Sequence, residues 1–186
     1  MARVTGNSLL RGISGKIGSI TVRQVGNQTI VSAAEGQKRG AGSPKQQEQR
    51  GRMHLARLYA QAQLLDPATK ALYATGITTR LNNARLVAIT DFMNAPVVTA
   101  VDLSGYHGQA GDSIRIRATD DFAVTAVLVR LYTPLGKLAA EAAATLQPDT
   151  SWLYHTLTAG PYQPGTRIEV EAQDRPGNKT HWSFTL

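Results

Sequence analysis

Along the first third of the chain the hydrophobic positions change period. Between Gly15 and Ser32 the pattern is strand-like: Ile20 and Val22 alternate with Ser19, Thr21 and Arg23. Gly26-Asn27 supplies a tight turn, and Thr29, Ile30 and Val31 begin a return strand, so the segment predicts a β-hairpin. Glycines 6, 12, 15, 18 and 26 mark bulges or close backbone approach. Residues 35–43, EGQKRGAGS, read as a connector. From Ser43 the period becomes helical. Ser43-Pro44-Lys45-Gln46 fits an N-cap, a first-turn proline and a capping-box Gln. Met53, Ala56, Ala60 and Leu64 then form one stripe, with Leu55, Leu58, Ala62 and Leu65 on an adjoining one. Gly51 weakens this helix by about 1 kcal/mol relative to Ala. A second helix opens at Asp66-Pro67 and ends at Gly76; a third covers about residues 83–93, with Leu86, Val87 and Ile89 available for packing.

Asn94-Ala95-Pro96 breaks the third helix, and the period falls to two. The predicted strands are 97–102, 112–118, 124–132, 137–145, 151–158, 166–173 and 180–185. Ile114 and Ile116 alternate with Arg115 and Arg117, and Ile168 and Val170 with Glu169 and Glu171, so one face is buried and the other solvated. Seven short strands separated by Gly- and Pro-rich turns predict a β-sandwich. The expected class is α+β: an N-terminal extended arm and hairpin (1–34), a linker and helical region (35–95), and a sandwich (96–186).

The 186-residue length and 42% hydrophobic content suit one domain or two small ones. With no cysteine, disulfides, thiolate chemistry and zinc–thiolate sites are excluded. The start, MARVTGNSLLRG, lacks the apolar core of a signal peptide, and no apolar run is long enough for a membrane span. The expectation is synthesis in the cytoplasm, with a final location outside the cell or in a virus particle left open. The net charge of +7 is unevenly spread: residues 1–95 carry 13 Lys/Arg against 4 Asp/Glu, and residues 96–186 carry 7 against 9. A basic front half suits either a polyanion or the mildly acidic back half of a neighbouring copy.

The stretch "GDSIRIRATDDFAVTAVLVRLY … GTRIEVEAQDRPGN" resembles bacterial immunoglobulin-like domains, in which a strand ends in an Asp-containing turn and a late strand ends in Ala-x-Asp-x-x-Gly-Asn. The resemblance covers Val97–Leu186 and implies a sandwich; such folds serve as spacers, adhesive tips and assembly modules. The antibody-type cysteine pair is missing, so no antibody-like role follows. The whole chain, with its GKIG hairpin and SPKQQEQRGRM helix start, resembles a group of uncharacterised bacterial and phage-type structural proteins.

Catalytic signals are sparse. His54, His107, His155 and His181 show no metal-ligand spacing, and Ser104 and Ser151 lack a GxSxG context. RGISGKIGS presents Lys16 among glycines but fails the phosphate-loop spacing. Asp120, Asp121, Asp174 and Asn178 fall in loops at one end of the expected sandwich, where their oxygens could converge on Ca²⁺; the competing account is that each side chain satisfies its own turn. No other cofactor is expected. Trp152 and Trp182 read as core or inter-sheet residues, with a sugar platform as the alternative. Lys38, Arg39, Lys45, Arg50, Arg52 and Arg57 oppose only Glu48 and offer a polyanion contact, although aromatics for base stacking are few.

The hairpin dominates the functional expectation. A two-stranded ribbon is marginal alone, and the pattern offers no third strand in residues 1–95. Ile13, Ile17, Ile20, Val22, Ile30 and Val31 form a large apolar set for a short helical region to cover. The sequence therefore predicts a non-enzymatic protein that assembles with other copies into a filament, tube or layer by pairing this arm between subunits. The alternative is a particle-associated module whose basic half contacts nucleic acid or another polyanion.

Overall fold

The computed structural model describes residues 2–4, 13–26, 28–33 and 42–186, and they form an α+β protein of twelve strands and three helices. The chain divides into two compact units, residues 1–48 and 49–186.

In the first unit the predicted hairpin is β3 (Ile20–Val25) and β4 (Gln28–Ala33), joined at Gly26 with φ +59°. The pattern also missed two strands. β1 (Ala2–Val4) pairs antiparallel with β4, and β2 (Gly15–Ile17) with β3, giving the order β1-β4-β3-β2. The expectation that only another copy could flank the ribbon is therefore corrected. Each hairpin strand has a neighbour from its own chain over three residues. Three-residue strands are too short for alternation to register in a sequence. Gly18 eases the return from β2 to β3, because its φ of +57° lies in the left-handed region that glycine adopts without strain.

In the second unit the three helices follow the predicted limits closely: α1 (Pro44–Gln63, which begins in the first unit), α2 (Pro67–Ala74) and α3 (Ala84–Met93). The capping box forms as expected. Gln46 N donates to Ser43 Oγ at 3.3 Å and Ser43 N to Gln46 Oε1 at 3.1 Å. Asp66 accepts from Thr69 N at 2.9 Å to cap α2, and Asn83 accepts from Leu86 N at 2.9 Å to cap α3. Ala60, Tyr73, Val87 and Ala88 form the helical core, and Phe122 from the sandwich packs against it. Leu55, Leu58, Ala62 and Leu65 stay exposed. At 100° per residue they lie opposite the buried Ala56 and Ala60, so the two stripes are back to back rather than adjoining.

Residues 97–185 form the sandwich. One sheet has the order β5 (Val97–Asp102), β6 (Ser113–Thr119), β10 (Trp152–His155), β9 (Thr145–Leu146). The other runs β12 (Lys179–Thr185), β11 (Arg167–Asp174), β7 (Val124–Tyr132), β8 (Leu138–Ala143). In chain order this is the immunoglobulin arrangement, A-B-E-D against G-F-C-C′. The predicted strand 137–145 splits into β8 and β9, and these lie in different sheets. Ile114, Ile116, Trp152 and Tyr154 meet Val127, Val129, Leu131, Ile168, Val170 and Ala172 in the core. Trp182 packs against the same core, so both tryptophans are inter-sheet residues. On the outer face Glu171, expected to be solvated, is buried. Arg130 Nη1 at 2.9 Å and Lys179 Nζ at 2.7 Å close over its carboxylate. This ladder holds the Glu171 carboxyl below the usual carboxylate range, first through Lys179 and then through Arg130.

Candidate functional site

The most unusual chemistry lies where α3 meets two loops of the sandwich. The β6–β7 turn brings Asp120, the last residue of β11 is Asp174, and α3 contributes Asp91 on the same face as Val87 and Ala88. One carboxylate oxygen from each of the three lies within 4.8 Å of the others. Asp91 and Asp174 are buried and Asp120 half-buried.

Each turn first satisfies itself. Asp174 Oδ1 accepts from Gly177 N at 2.9 Å and Asn178 N at 2.6 Å, and Asp120 Oδ2 accepts from Phe122 N and Ala123 N, both at 3.2 Å. Asn178 then ties the turn to the helix. Its amide donates to Asp174 Oδ2 at 2.6 Å and to the carbonyls of Asp91, Phe92 and Asn94 at 3.3, 3.2 and 3.1 Å. These carbonyls are the acceptors that the end of α3 leaves without intrahelical donors. Tyr73 donates to Asp91 Oδ2 at 2.6 Å, and its own hydroxyl lies 2.8 Å from that of Tyr59.

Two oxygens are left over: Asp91 Oδ1 and Asp120 Oδ1 are buried without a hydrogen-bond partner. Among the described residues no ion pair reaches any of the three carboxylates. Burial above all, with the neighbouring Asp120 and Asp174 charges and against the Tyr73 hydrogen bond, pushes the Asp91 carboxyl up to about 7. Burial also raises the Asp174 carboxyl, against its Asn178 hydrogen bonds.

The expected calcium set is therefore half assembled. Asp120 and Asp174 converge. Asp121 instead accepts from the Asn94 side-chain amide, and the Asn178 amide is spent on the helix end and Asp174. Asp91 was missed by sequence reading. The available signal was a lone carboxylate among the apolar positions of a short helix.

The expected assembly residues fall on the N-terminal sheet. Paired residues share a face, so Ile17 opposite Ile20 and Val22 opposite Val31 lie together, while Ile30 lies on the other face beside Arg23. Ile13 precedes β2, with its carbonyl accepting from the Gln24 amide at 3.1 Å. Val22 is buried, but Ile13, Ile17 and Ile20 are 37%, 51% and 39% exposed. Of the basic set, Lys38 and Arg39 lie outside the described residues. Lys45, Arg50, Arg52 and Arg57 are exposed on α1. Seven-residue spacing aligns Lys45 with Arg52 and Arg50 with Arg57, and the two pairs sit on roughly opposite sides of the helix. Arg52 also donates to the Met93 carbonyl at 3.0 Å. All four histidines are exposed. Among the described residues no helix is long and apolar enough to cross a membrane.

No family model matches the chain, and no curated protein does. Among solved structures, CopC from Methylosinus trichosporium OB3b overlaps 48% of this chain and 89% of its own at 15% identity and a TM-score of 0.36. A tetra-tandem repeat in the extending region of a large adhesion protein overlaps 49% and 22%, at 22% identity and a TM-score of 0.33. A conjugative transposon lipoprotein from Bacteroides eggerthii DSM 20697 overlaps 49% and 93%, at 17% identity and a TM-score of 0.27. Overlaps this low carry nothing about function.

Proposed function

We propose that this chain is a non-enzymatic structural protein that assembles with other copies through the apolar face of its N-terminal sheet. One observation carries the reading: Ile13, Ile17 and Ile20 are exposed, and Ile17 and Ile20 share a face with Val22 and Val31. A sheet is stable when that face is covered, by its own chain or by a neighbour. The four-stranded sheet removes the need for another copy to complete the ribbon's edge. What remains to be covered is the exposed end of the face at Ile17 and Ile20, since Val22 on the same face is already buried.

A second apolar surface supports an open assembly. Leu55, Leu58 and Ala62 follow the 3-4 spacing of a coiled-coil seam and face away from the helical core, with exposed Leu65 just past the end of α1. Two unlike surfaces on one chain suit heterologous contacts, which build filaments or layers when the rotation does not close. Polyanion binding has weaker support, because the described basic residues of α1 divide between two sides of the helix.

The test is sedimentation velocity on the full chain and on Ile17→Lys/Ile20→Lys. The sandwich should keep its near-ultraviolet signature from Trp152 and Trp182 in both, and only the parent should form large species. Equal association of the two proteins would overturn the reading. A salt titration separates the alternative: apolar association persists at high salt, whereas nucleic-acid affinity falls steeply.

A further inference from the structure

We propose that the Asp91, Asp120 and Asp174 carboxylates bind one hard divalent cation at the junction of α3 with the β6–β7 and β11–β12 turns. This goes beyond the assembly role and does not depend on it. An acidic cluster alone is common on protein surfaces, but this one has two further properties. Asp91 is fully buried, and its Oδ1 has no donor; Asp120 Oδ1 is likewise enclosed and unpartnered. Buried polar atoms are nearly always satisfied, so two orphans in one cluster point to a missing positive group. A cleft of about 530 Å³ lined by Asn94, Thr119, Asp120 and Asp121 lies beside the cluster, with Asp91 and Asp174 behind Asp120 and outside its lining.

The chemistry of the donors selects the ion. All three are carboxylates, and no cysteine exists in the chain. Oxygen-only sites suit Ca²⁺ or Mg²⁺ rather than thiophilic metals. Three protein ligands leave further coordination positions for water. The backbone donors that fix Asp120 and Asp174 use other lone pairs or the other oxygen, so neither turn must open for an ion to bind.

The test uses the chelator-treated full chain, with CaCl₂ and MgCl₂ in separate calorimetric titrations and in thermal melts. The expected result is one ion per chain. At a concentration ~100-fold above Kd, the melting temperature should rise by roughly 5–10 °C. Asp120→Asn should abolish the heat of binding and the shift, while melting higher than the ion-free parent because a repulsive charge is gone. Asp121→Asn should bind like the parent. The parent protein decides the matter by itself. If neither salt gives heat or a melting shift at millimolar concentration, the proposal falls, and Asp91 and Asp120 are held together by a shared proton.

Discussion

Asn178→Ala is the sharpest probe of how the helical layer is held on the sandwich. The side-chain amide has two hydrogens and four acceptors within reach, so it makes the equivalent of two good bonds. One goes to the buried Asp174 carboxylate at 2.6 Å, a charge-assisted bond of about 1.5–3 kcal/mol. The other is shared among the α3 carbonyls, worth about 0.5–1.5 kcal/mol. Alanine keeps the backbone bond from residue 178 to Asp174 Oδ1, so the turn survives, while the side-chain bond to Asp174 Oδ2 and the tie to the helix are both lost. The loss should be about 2–4 kcal/mol, and about 2–4 °C of melting temperature per kcal/mol for a chain of this size. Urea unfolding followed by far-ultraviolet circular dichroism measures it. Asn178→Asp should be worse than alanine, since it replaces the donor with a fourth carboxylate. An Asn178→Ala protein within about 0.5 kcal/mol of the parent would refute the reasoning.

Two further outcomes follow from packing and charge. At Gly76 a Cβ would lie 2.9 Å from Val87 Cγ1 and 3.0 Å from Phe122 Cδ2, so Gly76→Ala should overpack the helical core and cost about 1–3 kcal/mol by chemical denaturation. The lowered carboxyl of Glu171 means the unfolded chain binds more protons as pH falls below the ordinary carboxylate range. Its contribution is complete above that range and is lost as pH falls through the folded value. Glu171→Gln should therefore flatten the acid limb of a stability–pH curve and cost about 1–3 kcal/mol at neutral pH.

The fold was legible wherever an element was long enough to repeat its period. Pro44–Gln63 shows five turns of helical spacing with a capping box, and Ser113–Thr119 alternates over seven residues. Ala2–Val4 and Gly15–Ile17 are three residues each and carry no such signal, so the sequence left the ribbon without flanking strands. The site was half legible for a related reason. Asp120 and Asp174 sit in turns that the sandwich topology brings to one end. Asp91 joins them only through the packing of α3 on those turns, which no local pattern encodes. The exposure of Leu55 and Leu58 was equally hidden, because two apolar stripes on one helix read alike until tertiary contacts choose the buried one.

The most direct measurement is light scattering of the full chain over a rising concentration series. Burial of the sheet face between copies predicts a mass that grows with concentration, with growth lost in Ile17→Lys/Ile20→Lys. A mass that stays at 20.0 kDa throughout the series would contradict the account.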